Sequence, residues 1–191
     1  MSLAAFASAV LALLLAPGPT NTLIALAGAA GGWRAALRLL PAELAGYLGA
    51  ILPLSVQGAG LFASAPGLVV ALKLAAAGWI LLLALRLWRA GTPGIPAAPV
   101  TGRRVFLTTL LNPKAMVFAL VLLPAPGSPD YLPRLGLFCG LVAAAALLWG
   151  TSGALTRLGD SGARRLFVLQ RLAASWLVVV AVTLLGGVLA A

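Results

Sequence analysis

Two short stretches hold the residue types that can bind a small polar solute within an otherwise apolar chain. They are Pro17-Gly18-Pro19-Thr20-Asn21-Thr22 and Asn112-Pro113-Lys114. Proline removes a backbone donor and clashes with the preceding turn, so a helix running through either stretch must break. Gly18 adds backbone freedom at the first. A break inside an apolar medium frees carbonyls and amides that need partners. Thr20, Asn21 and Thr22 can cap the exposed amides of a new half-helix, and Lys114 brings a positive charge. Such a set can hold a carboxylate by hydrogen bonds and charge.

Bond-breaking chemistry is poorly provided for. The chain has no histidine, one cysteine (Cys139) and three acids, of which Asp130 and Asp160 fall in connections. A hydrolase needs an activated nucleophile with a base, or a set of metal ligands. No enzyme, metal site or cofactor is expected. Metal export favours histidine or acid clusters, and a thiol relay needs paired cysteines; neither pattern is present. Glu43 is the sole acid inside a predicted span, about 7–10 Å past Arg38 at helical rise. It is the candidate proton carrier, with pairing to Arg34 or Arg38 as the alternative.

The elements that must position these residues are membrane helices. Of 191 residues, 62% are hydrophobic and only 8% charged, whereas soluble domains carry about a quarter charged residues. Lipid must cover the remainder. About 20 apolar residues cross a bilayer as a helix, and the hydropathy predicts six spans near 2–30, 39–62, 67–89, 105–124, 131–155 and 172–191. Leu3–Ala16 has the length of a signal-peptide core. No Lys or Arg precedes it, however, and the apolar character runs on to Ala30, so it reads as the first span. The expected architecture is one all-α transmembrane domain over residues 1–191, with halves 1–90 and 103–191. The loop 90–102, with Pro93, Pro96 and Pro99, joins them.

The net charge of +10 would suggest nucleic acid in a soluble protein. Here the basic residues cluster between spans, where they set topology. Arg34 and Arg38, then Arg86, Arg89, Arg103 and Arg104, then Arg157, Arg164, Arg165 and Arg171 occupy alternate connections. These connections belong in the cytoplasm, which puts both termini outside. Lys73 and Arg134 are expected to anchor near the outer interface. Lys114 lies roughly 12–16 Å past Arg103-Arg104, near mid-membrane, where charge is costly and points to function.

The breaks fall in the first helix of each three-helix half, and prolines recur early in the next helix, at Pro41 and Pro133. The starts of the two halves are three spans apart, an odd number, so the halves run oppositely through the bilayer. Interrupted helices at matching places of an inverted repeat point to a transporter site. Gly46 with Gly49, and Gly136 with Gly140, are spaced for close helix approach, the second pair toward a helix of the chain or a second subunit.

With Pro17-Gly18-Pro19-Thr20-Asn21-Thr22, Asn112-Pro113-Lys114 and six spans over nearly its whole length, the chain resembles the LysE/RhtB family of amino-acid exporters. The resemblance implies export of amino acids or similar small metabolites from the bacterial cytoplasm, across the inner membrane, driven by protons. An extra Thr20 stands between Pro19 and Asn21, where the family pattern runs directly from proline to asparagine. Glu43 with Tyr47 replaces an aspartate in span two. The expected substrate site comprises Pro17, Gly18, Pro19, Thr20, Asn21, Thr22, Asn112, Pro113 and Lys114, with Glu43 coupling the proton. A channel or a structural membrane subunit is the alternative.

Overall fold

The computed structural model describes residues 2–90, 99–156 and 162–189. Most of the 90–102 loop, together with Arg157 and Asp160, falls outside the described residues, as do the side chains of Lys73, Arg164 and Arg165. The described chain is all-helical. Helix α1 (Leu3–Leu15) is capped by Ser2, whose hydroxyl accepts from the Ala5 amide at 3.2 Å. After a break, α2 (Pro19–Gly31) starts on a proline at its first turn, where the missing donor costs nothing. Gly32, at φ 82°, then redirects the chain into α3 (Trp33–Leu37) and on to α4 (Leu40–Ser64). Pro66 opens α5 (Pro66–Ala90).

Thr101 caps α6 (Gly102–Leu110) by accepting from the Arg104 amide at 3.3 Å. A second break leads to α7 (Pro113–Val117) and a π-helical turn, Phe118–Leu122. Helices α8 (Tyr131–Leu155) and α9 (Gly162–Leu189) complete the described chain.

Two segments, Trp33–Gln57 and Tyr131–Leu155, are long and apolar enough to cross a membrane, and up to four spans result if each bent pair counts as one. The bent pairs are Leu3–Leu15 with Pro19–Gly31, turned by 64°, and Gly102–Leu110 with Pro113–Leu122, turned by 49°. Both interruptions expected from proline are present. The fifth expected span coincides with α8. The sixth does not: α9 begins at Gly162, ten residues before 172. Hydropathy marks where a stretch is apolar, whereas arginine is a good helix former and lets a helix extend beyond that stretch; within α9 only Arg171–Thr183 forms a shorter apolar segment.

Each broken helix packs on the long helix of the opposite half. Helices α1 and α2 lie along α8, α6 and the segment after its break lie along α4, and α5 pairs with α9. Two apolar cores result. Phe6, Val10 and Leu14 of α1 join Ile51 and Phe138 in one; Leu23 and Ile24 of α2 join Leu83 and Leu177 in the other. The second broken helix also changes core, with Val105 in the α2 core and Ala115 and Phe118 in the α1 core. Both breaks therefore lie on the seam between the two cores.

Glycines set the closest approaches. A Cβ on Gly28 would overlap the Gly150 carbonyl, and one on Gly153 would overlap the Ala25 carbonyl, so α2 and α8 touch backbone to backbone. Gly46 does the same for α4 on α6, where a Cβ would come 2.7 Å from the Thr109 Cβ. Gly136 and Gly140 face open space, so they do not serve a contact within the described chain.

Candidate functional site

The end of α1 leaves carbonyls without the amides that a continuous helix would supply. Asn21, one turn into α2, reaches back across the break. Its Nδ2 donates to the Leu14 carbonyl at 2.6 Å and to the Ala16 carbonyl at 2.9 Å. The sequence suggested capping of amides by Thr20, Asn21 and Thr22. The observed roles differ, because Gly18 holds the N-cap position with no side-chain cap and Pro19 takes the first turn. Asn21 is thus free to satisfy acceptors instead of donors.

The second break is built the other way. Asn112 is the N-cap of α7, and its Oδ1 accepts from the Lys114 amide at 3.1 Å. Its Nδ2 points outward and donates to the Thr20 hydroxyl at 3.3 Å. The Thr20 and Thr109 hydroxyls are 3.1 Å apart. Lys114 Nζ donates to the Ala16 carbonyl at 2.6 Å. A Cβ at Gly18 would lie 3.1 Å from that ammonium nitrogen, so glycine leaves the room it needs. Residues some ninety positions apart therefore form one continuous polar network. Thr20, Asn21, Thr109 and Asn112 are all buried.

Glu43 is 2% exposed, and its Oε2 has no hydrogen-bond partner among the described residues. It makes no ion pair with Arg34 or Arg38 there; Arg34 instead lies over the Trp33 ring, 5.3 Å from its centroid. Lys114 is near enough for its charge to bear on Glu43, and no direct ion pair joins them among the described residues. One helical turn on, Tyr47 packs edge-on against Phe118 and Phe138, with centroids 5.7 and 5.5 Å away. These three rings close the apolar side of the region. A buried carboxyl oxygen without a partner is uncommon in folded proteins and calls for an explanation.

Three expected residues stand apart from the network. Pro17 is exposed. Thr22 lines a separate hollow of about 190 Å³ with Trp149 and Trp176, on the α8 and α9 side. Pro113 and Asn112 border an apolar hollow of about 250 Å³ with Ala50, Pro53, Leu54 and Ala76. Arg134 pairs with Asp130 at 2.9 Å and lies over Phe6.

Thr109 and Ala16 belong to the network, yet the sequence did not single out their roles. Ala16 acts through its carbonyl, and an alanine carries no signal of that. Thr108, beside Thr109, was equally silent; its hydroxyl accepts from Trp79 Nε1 at 2.9 Å and donates to the Arg104 carbonyl at 2.6 Å. A pair of threonines one turn before an Asn-Pro break is the signal that could have found them.

No family model, curated protein or solved structure matches the chain.

Proposed function

We propose that the chain is a secondary transporter of the LysE/RhtB type, exporting amino acids or similar small metabolites from the bacterial cytoplasm with proton coupling. The observation that carries this reading is the meeting of the two breaks through Lys114 and Ala16, Asn112 and Thr20. Broken helices that face each other within the membrane are the usual construction of a carrier site. In this reading the six spans form two inverted halves of three, with both termini outside. The exchange of packing partners between halves, α1–α2 on α8 and α6–α7 on α4, supports it.

The mechanism follows from the polarity of the two breaks. A solute carboxylate draws the Lys114 ammonium away from the Ala16 carbonyl, and the released carbonyl accepts from the solute amine. Asn112 and Thr20 then give direction by hydrogen bonding. Glu43 takes a proton from outside, and loss of its charge changes the balance between inward and outward states. Because both broken helices cross the seam between two cores, one core can rock against the other without tearing either.

The test is flux from proteoliposomes, and from cells loaded with mixed dipeptides. Saturable efflux driven by a pH gradient is expected. Lys114→Ala should lower it at least tenfold, the effect of removing one charged hydrogen bond. Glu43→Gln should leave residual flux that no longer responds to the gradient. If neither substitution alters flux or its pH dependence, the scheme fails. Unsaturable flux would instead fit a channel.

A further inference from the structure

A second concentration of charge lies outside this network. Arg86 near the end of α5 and Arg103 and Arg104 in the first turn of α6 line one hollow of about 590 Å³. Trp79 and Leu107 form its apolar wall, and Thr101 its rim. None of the described residues lining it is acidic. Glu43 lies apart in α4, Asp130 is held by Arg134, and Asp160 is outside the described residues.

Three arginines line this one concavity, and Arg86 is near enough for its charge to bear on Arg104. Arg104 is not loose: its Nη1 donates to the Pro99 carbonyl at 3.2 Å, and its backbone carbonyl accepts from Thr108. The hollow is thus braced by the same short helix that carries Thr109 to the breaks, about 8 Å further along at helical rise. Topological anchoring needs positive charge on this side of the membrane, but it does not need the charges to converge on a braced hollow with an aromatic wall. Planar guanidiniums match the paired oxygens of a phosphate group. Basic hollows between membrane helices are suited to anionic headgroups.

We propose that this hollow is an anion site for a phosphate group, with Arg86 and Arg103 as the ligating cations and Arg104 held to the Pro99 carbonyl. The same chemistry can come from an anionic lipid headgroup or from a free phosphate. The hollow, about 590 Å³, is many times the roughly 30 Å³ taken by one water, so it has room for more than a single ion.

The test uses the full-length protein, delipidated in detergent. Retention of phosphatidylglycerol is read by native mass spectrometry, with phosphatidylcholine as the zwitterionic control. Inorganic phosphate is read by Trp79 emission against chloride at equal ionic strength, with Trp79→Phe identifying the signal. Arg86→Gln with Arg103→Gln should lower phosphatidylglycerol retention at least tenfold, while Arg34→Gln on another connection leaves it unchanged. Retention of phosphatidylglycerol without a phosphate response assigns the site to lipid; a phosphate response without lipid preference assigns it to a free phosphate group. Should the double substitution prevent folding, the wild-type comparisons still decide. Equal retention of both lipids together with no Trp79 response to phosphate overturns the proposal.

Discussion

The two helix breaks look alike in sequence, each with a proline within two residues of an asparagine, yet they are opposite in polarity. The first presents acceptors: the Leu14 and Ala16 carbonyls, held by Asn21. The second presents donors, Asn112 Nδ2 and Lys114 Nζ, because the Asn112 side-chain Oδ1 is spent on capping α7. The asparagine sits after the proline in one and before it in the other, and that order decides the outcome. Past the proline, Asn21 lies one turn into α2 and reaches back over the break. Ahead of the proline, Asn112 holds the N-cap and serves the helix in front of it. Two complementary surfaces result, and they close on each other.

This contrast can be broken in graded ways. The largest effect is expected where backbone meets backbone. Gly153→Ala puts a methyl into the Ala25 carbonyl, which cannot swing aside, and should cost about 3 kcal/mol, the upper range for overpacking. The measurement is the unfolding midpoint in detergent. A loss under half of that would mean that α2 and α8 can separate freely.

Asn21→Ala should follow, at about 2 kcal/mol, since it orphans the Leu14 carbonyl while Ala16 keeps its bond from Lys114. If the first break were satisfied mainly from the second, Asn21→Ala would be milder than Lys114→Met. The expected order is the reverse, with Lys114→Met destabilising by about 1 kcal/mol while the proposed transport, measured as flux from proteoliposomes, falls more steeply. Asn112→Ala should also cost about 1 kcal/mol, chiefly through the lost cap of α7. Asn112→Asp, which retains the capping oxygen, should recover most of that, with the bond to Thr20 reversed so that the hydroxyl donates. The smallest term is the coupling of Thr20 to Thr109 in a double-mutant cycle with valine, about 0.6 kcal/mol for a hydrogen bond between membrane helices. No coupling would show that the hydroxyls are neighbours without a bond.

Much of this was legible from the chain alone. Prolines 17, 19 and 113 foretold both breaks, because proline acts on its own backbone whatever surrounds it. The apolar runs foretold α4, α5 and α8 to within a few residues. The end that failed was the start of α9, where charge ends the apolar stretch but not the helix. The role of Asn21 was misread because capping and back-bonding use the same residue type a turn apart, and only the three-dimensional path of the break separates them. Gly136 and Gly140 have the spacing of a packing motif and touch nothing in the described chain, whereas Gly28, Gly150 and Gly153 make the tightest contacts. Spacing tells that helices can approach along a face, not which face has a neighbour.

Where the helices break, how apolar they are, and that Lys114 carries a charge amid apolar sequence were therefore determined by the sequence, since these depend on single residues and their nearest neighbours. That the ammonium of Lys114 rests on the carbonyl of Ala16, that Glu43 is buried with an unpartnered oxygen, and that one break offers donors to the other's acceptors were decided only by the tertiary structure. Those depend on residues some ninety positions apart, brought together by the packing of each broken helix against the opposite half of the chain.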